Sequence, residues 1–371
     1  MGVNRDFWQD KTVFVTGHTG FKGSWLSLWL QRLNAAVHGY ALEPPSSTNL
    51  FNTARVADGM QSTTADVRNL PDLQKAMQAA QPEIAFHLAA QPLVRASYHN
   101  PVDTFAANVM GTVNFLEAVR CTPSVRVAVV VTSDKCYENG QGTMTFRETD
   151  RMGGNDPYSS SKGCAELVTA AYRRSFFNEG KAAIATARAG NVIGGGDWAD
   201  DRLIPDLVRA FAEKRPLALR YPQAVRPWQH VLEPLRGYLM LAEQLWQNPG
   251  ISDGGWNFGP GSDDAWPVIE VVRTAARIWG EGARWVASTN ASLHEAHYLN
   301  LDCSLARENL RWIPATCLEQ ALDWTLTWYR IHLDGATDMR AITEAQIARY
   351  EHLAMPAGHN PEFLMGARCA G

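Results

Sequence analysis

Through the first half of the chain, short apolar runs alternate with stretches of helical periodicity. Thr12–Thr16 reads as a strand, Ser24–Leu33 as a helix and Ala36–Leu42 as a second strand. Leu70–Ala80 follows as a helix with Pro71 near its start, then Ile84–Ala89 as a strand. Asp103–Val119 reads as one long helix, the apolar run Val125–Thr132 as a strand, Ser159–Phe177 as a helix and Ala182–Ala187 as a strand. Near-continuous apolar strands alternating with helices predict a parallel sheet covered on both faces, hence an α/β, doubly wound fold. After about Arg188 the pattern changes. Gly194–Gly196, Pro205, Pro216, Pro222 and Pro227 cut the chain into shorter pieces. Val231–Leu245 again looks helical, and Trp256–Gly259 could form a last strand. The expected division is a first domain over 1–188, joined by a returning segment at about 230–262. A smaller, interleaved α/β domain then takes 189–229 and 263–371.

Composition narrows the function classes. The 371 residues carry a formal charge of −4, and 19% are charged, below the roughly 25% of ordinary globular proteins, which argues against a disordered chain. A pI near 6.2 argues against a dedicated nucleic-acid binder. No stretch reaches the roughly 18 apolar residues of a membrane span. The six cysteines are scattered, with no CxxC pair or Cys/His cluster, so no metal site is expected. A reduced, cytoplasmic enzyme is the simplest expectation. Thirteen tryptophans form a high count with no immediate reading.

The first strand runs into Gly17-His18-Thr19-Gly20-Phe21-Lys22-Gly23 and then a helix. Glycines there permit a tight turn and close backbone approach to a pyrophosphate, and the helix start offers free N–H groups. The spacing is GxxGxxG rather than GxGxxG; alone it could be an ordinary turn. Glu43, 20 residues beyond Gly23, is a candidate for the adenosine ribose. Lys22, Arg55 and Arg68 are the cations that a 2′-phosphate could meet. Further on, Tyr158 and Lys162 stand at i and i+4, one helical turn apart on a shared face. A neighbouring ammonium favours the phenolate, so the pair predicts a lowered tyrosine pKa and a base for a hydroxyl proton.

With these motifs the chain resembles the extended branch of the short-chain dehydrogenase/reductase superfamily, which has a Rossmann fold. The resemblance rests on TGHTGFKG (16–23), Asp66-Val67, HLAAQ (87–91), NVMGT (108–112), Tyr158–Lys162 and RAGNVIG (188–194). It implies NAD as cofactor, held by Gly17, Thr19, Gly20, Phe21, Gly23, Asp66, Val67, Ala89, Ala90, Asn108, Tyr158 and Lys162. It gives Asp66 the adenine, places Asn108 beneath the active site and sets Asn191 against a sugar nucleotide. Ser133, past the end of a strand, matches the residue that hydrogen-bonds the sugar C4 hydroxyl. Asp134-Lys135 follow where epimerases of the branch carry small residues and its dehydratases an Asp–Glu pair.

A 4,6-dehydratase needs one more base and one more acid than an epimerase, and Asp134 and Lys135 supply two titratable groups. TSDKCYEN (132–139), GGGDW (194–198), DRLIPD (201–206), RPWQHVLEPLRGYL (226–239) and HYLNLD (297–302) resemble the CDP-sugar members among the dehydratases. That resemblance implies CDP-glucose as substrate, with Arg226 as the guanidinium for its diphosphate. Arg202 and Tyr298 fall in the nucleotide-contacting blocks, and Trp198 and Trp228 near the substrate. It also implies a homodimer or tetramer built on Asp103–Val119 and Ser159–Phe177, and a role in lipopolysaccharide deoxysugar synthesis. Another sugar-nucleotide dehydratase or epimerase, or a non-catalytic NAD-binding regulator, are the competing readings.

Overall fold

The computed structural model describes residues 2–139, 145–177, 181–250, 254–287, 299–335 and 337–355. Seven strands make the main sheet: β1 (Thr12–Thr16), β2 (Ala36–Ala41), β3 (Gln61–Thr64), β4 (Ile84–His87), β5 (Val127–Val131), β6 (Ala183–Ala189) and β7 (Gly255–Phe258). Their order is β7-β6-β5-β4-β1-β2-β3 and every pairing is parallel. The order reverses between β1 and β4, so a crevice opens there at the strand carboxyl ends, where open α/β sheets bind ligands.

The alternating strand geometry explains why the apolar runs are continuous. Val13 and Val15 of β1 and Val127 and Val129 of β5 enter one core, with Trp25, Trp29 and Leu235. Phe14 of β1 and Ala128 and Val130 of β5 enter a second core on the opposite face, with Leu73, Met77 and Phe115. The helices behind these cores are α1 (Phe21–Arg32), α2 (Leu70–Ala80), α3 (Gly111–Arg120), α4 (Pro157–Phe176), α5 (Leu203–Ala212) and α6 (Leu232–Gln247). Helices α2, α3 and α4 pack in series against one another on the Phe14 side; α1 and α6 lie on the other.

Three differences from the sequence reading have local causes. Strand β3, Gln-Ser-Thr-Thr, is exposed throughout and lies at the sheet edge, so it carries no apolar signal. The expected helix Asp103–Val119 is instead a helix over Pro101–Phe105, a π-turn over Ala106–Met110 and then α3. The helix of the Tyr–Lys motif begins at Pro157, capped by Asp156, whose side chain accepts from the Ser159 N–H.

A second, three-stranded sheet joins Asn191–Ile193, Val225–His230 and Ala265–Pro267. Asn191 stands opposite Trp228 and Arg226 opposite Trp266, so the later part of the chain is brought alongside the end of β6.

Candidate active site

Parallel strands end on the same side, so the loops after β1, β4, β5 and β6 share one edge of the sheet. After β1, Gly17 turns with φ +76°, a conformation that disfavours side chains. A Cβ on Gly17 would lie 2.6 Å from the Ala89 nitrogen, and one on Gly23 would lie 2.0 Å from the Gly17 oxygen. Ala89, followed by Ala90, therefore crosses directly over the loop. Gly20 caps α1 without any side-chain cap hydrogen bond, leaving the first-turn N–H groups for an anion. Thr19 ties the loop to the end of β2 through a 2.8 Å hydrogen bond to the Leu42 oxygen. The Phe21 ring reaches Gly194, where a Cβ would lie 3.2 Å from it. This bare backbone cradle fits a dinucleotide pyrophosphate.

Asp66, expected at the adenine, follows β3. Its carboxylate accepts from the Arg68 N–H and Nε, both at 2.8 Å, and the Arg68 side chain holds it below the usual range. Val67 is buried against Gly111. Glu43 is exposed and accepts from the Thr64 hydroxyl at 3.1 Å. Arg55 and Arg68 pair with Asp338 and with Asp66 and Asp103.

Asn108 owes its place to the π-turn. It is buried, donates to Ser161 at 2.8 Å and to the Gln91 carbonyl at 3.1 Å, and accepts from the Gln91 N–H at 2.8 Å. It thus joins the loop after β4 to α4, three residues from Tyr158.

After β5, Ser133 caps a short helical turn over Asp134–Cys136. Its hydroxyl donates to Asp134 Oδ1 at 3.0 Å and accepts from the Lys135 N–H at 3.2 Å. Asp134 is buried, and its Oδ2 has no hydrogen-bond partner among the described residues. Burial raises its pKa, against the charges of Lys135, Arg226 and Lys22. Tyr158 and Lys162 are both buried in α4. Lys162 Nζ donates to the Val131 carbonyl at 3.4 Å. Burial draws the lysine down to about 8, with Glu166 and Cys136 acting in the opposite direction.

The expected low phenol pKa is corrected by the structure. Burial pushes Tyr158 up to about 12. Its hydrogen bond with Ser133 and the nearby Arg202 pull downward, while Asp134 pushes upward. Desolvation outweighs these lowering influences, and the cation among them is Arg202 rather than the helical neighbour Lys162.

The residues expected to meet the substrate come from the second sheet and from the segment leading into α5. Arg226 is buried beside Asp134 and donates to its neighbour's carbonyl at Val225. Arg202 precedes α5 and pairs with Asp197 at 2.8 Å. Asn191 opens its short strand at the β6 end. Trp228 is buried, whereas Trp198 stands edge-on to Tyr329 with ring centroids 5.1 Å apart. Tyr298 and His297 lie outside the described residues.

Two features escaped the sequence reading. Lys22, assigned no specific place there, sits within the fields of Lys162, Arg202 and Asp134, and burial first, then those cations, draw it down to about 7. Glu166 forms a buried pair with Arg188 at 2.7 Å. Its i+4 spacing from Lys162 was a readable signal for the glutamate; nothing in the sequence joined it to Arg188.

The residues 13–251 match the model of the NAD dependent epimerase/dehydratase family. The chain is 47% identical to CDP-glucose 4,6-dehydratase of Salmonella typhimurium over 353 residues, 94% of this chain and 98% of that protein. Among solved structures, it superposes on the epimerase Mth375 of Methanothermobacter thermautotrophicus with a TM-score of 0.79 at 23% identity, covering 89% of this chain and 95% of that one. It also superposes on MoeE5 in complex with UDP-glucose and NAD, with a TM-score of 0.72 at 26% identity, covering 86% of this chain and 99% of that one. The glycine cradle and the buried tyrosine–lysine pair accord with this span of likeness, and the chain belongs to the NAD dependent epimerase/dehydratase family.

Proposed function

We propose that this protein converts CDP-D-glucose to CDP-4-keto-6-deoxy-D-glucose and water. The observation that carries the reading is Asp134, buried beside Tyr158 and Ser133 and followed by Lys135. An epimerase of this family needs neither titratable group. The cradle at Gly17–Gly23 would hold NAD, which would supply reversible hydride exchange between C4 and C6 of the sugar, so no external oxidant would be consumed.

The residues divide the proton traffic. Ser133 hydrogen-bonds the C4 hydroxyl, and Tyr158 removes its proton as the ketone forms. Lys162 lends its positive charge to the phenolate. The ketone acidifies C5–H, and Lys135 takes that proton and returns it to C5 once water has left and C6 has received hydride. Asp134 protonates the C6 hydroxyl, which departs as water. The raised pKa of Asp134 suits the acid role, since a carboxyl must carry a proton in order to give one. Asn191, Arg202, Arg226 and Tyr298 are assigned to the sugar nucleotide, with the Arg226 guanidinium on the diphosphate. Local cations there serve a doubly charged substrate although the chain is acidic overall.

Incubation with CDP-, dTDP-, UDP- and GDP-glucose, followed by mass for the loss of water, tests the substrate. Turnover of CDP-glucose is expected, and preference for another nucleotide overturns the reading. Asp134→Asn and Lys135→Ala should bind substrate but release water far more slowly; a near wild-type rate for either removes its assignment.

A homodimer is part of the same proposal. Val102 is 80% exposed, Met110 52% and Leu167 61%, and all lie on or beside the two helical segments named for pairing. No helix of the described residues is long and apolar enough to cross a membrane. A cytoplasmic place, supplying a keto-deoxysugar for lipopolysaccharide, accords with the CDP-linked product.

A further inference from the structure

Glu166 lies on α4 one turn beyond Lys162 and is 5% exposed. A buried carboxylate is costly unless its oxygens are satisfied, and these are. Oε1 accepts from the Thr132 hydroxyl and from Arg188 Nε at 2.9 Å. Oε2 accepts from the Thr186 hydroxyl and from Arg188 Nη2, both at 2.7 Å. Burial opposes its ionisation, but the Arg188 fork and the two hydroxyls overcome this and hold it below the usual carboxylate range. Arg188, 3% exposed, continues through Nη1 to the Tyr137 hydroxyl at 2.7 Å, which donates to Asn257 Oδ1 at 2.7 Å.

The network joins the pieces of chain that carry the proposed chemistry. Thr132 immediately precedes Ser133, Tyr137 follows Lys135 by two residues, and Arg188 precedes Asn191 by three. Glu166 grips the first directly and the others through Arg188. The groups that bear on Lys162 are Lys22 from α1, His87 from β4, Cys136 from the turn after β5 and Glu166 from its own helix. His87 is held neutral by burial. Glu166 is therefore the carboxylate that favours the charged form of this lysine.

We propose that Glu166 is a positioning residue for the Tyr158–Lys162 pair, locking their helix to the strand end that carries Ser133 and serving as the counter-charge of Lys162. The proposal rests on the reading of Tyr158 and Lys162 as the proton-handling pair. A purely structural ion pair would lower stability or turnover at every pH alike. A counter-charge sets where activity falls in alkali, because Lys162 loses its proton near 8.

The test is the pH dependence of kcat/KM for CDP-glucose turnover by the NAD-loaded enzyme. In E166Q the alkaline limb should move down by about one pH unit, and in E166D, which keeps the charge, it should stay with wild type while kcat falls. A folded E166Q whose limb coincides with wild type overturns the proposal. Should E166Q fail to fold because Arg188 is left buried without a counter-charge, E166Q/R188M is compared with R188M, so that the same carboxylate is lost with position 188 unchanged; the alkaline limb should again move down, and coincident limbs overturn the proposal. Tyr158→Phe is measured alongside. Full activity in that variant would defeat the reading of the pair itself, whatever Glu166 does.

Discussion

Lys162 should weaken the fold it serves, and replacing it should show by how much. Lys162 is 6% exposed, and its ammonium titrates near 8 instead of 10.5, chiefly because burial strips its hydration. A lowered lysine pKa means that the charged form is less stable in the folded protein than in the unfolded chain. The penalty is complete below pH 8, shrinks as pH rises and vanishes by about pH 10.5. A difference of about 2.5 units at about 1.4 kcal/mol per unit amounts to roughly 3 kcal/mol. Methionine offers the same unbranched reach without a charge, and gives up only the long contact to the Val131 carbonyl. Lys162→Met should therefore gain about 2 to 3 kcal/mol at pH 7 and less than about 1 kcal/mol at pH 10, while abolishing turnover. Urea denaturation of both proteins at the two pH values reads this directly. A variant less stable than wild type at pH 7, or a gain that does not shrink by pH 10, would refute the argument.

Glu243 shows the opposite sign. Burial raises it to about 7, although it accepts from Asn4 N and from Trp8 Nε1 at 3.0 and 2.6 Å. The folded state then binds a proton that the unfolded chain has released, and stability falls between pH 4.5 and 7. Glu243→Gln should leave thermal stability unchanged at pH 4.5 and raise it at pH 8 by about 3 kcal/mol; calorimetry at both values checks this. At Gly190 a Cβ would stand 2.9 Å from Asp134 Oδ2 and 2.7 Å from the Pro227 ring. Gly190→Ala should displace the proposed acid and lower kcat at least tenfold while the protein still folds, as steady-state kinetics and circular dichroism would show. Leu167→Glu, on the exposed face of α4, should yield monomers in light scattering if that face pairs, and leave the mass unchanged if it does not.

What could be read from the chain were the local relations. The glycine loop between strand and helix needs only consecutive residues, and Tyr158 and Lys162 share a face because α-helical spacing makes them. The continuous apolar strands announced a sheet buried on both faces. Strand β3 escaped because an exposed edge strand has no apolar side to display, and the break at Ala106–Met110 escaped because a π-turn keeps the helical look of its sequence.

Relations between distant segments were of another kind. Arg226 beside Asp134, Lys22 between two other cations, and Glu166 on Arg188 all depend on which strands lie side by side. The Tyr158 phenol shows the limit most clearly. Spacing alone supplied the cation and so predicted a lowered pKa, yet the packed protein removes water from the hydroxyl and raises it to about 12. By itself the sequence determined the sheet type and the glycine loop between strand and helix, because these follow from residue spacing and backbone conformation. The tertiary structure alone decided which charges meet and how strongly each is desolvated, because both depend on chain segments separated by tens to hundreds of residues.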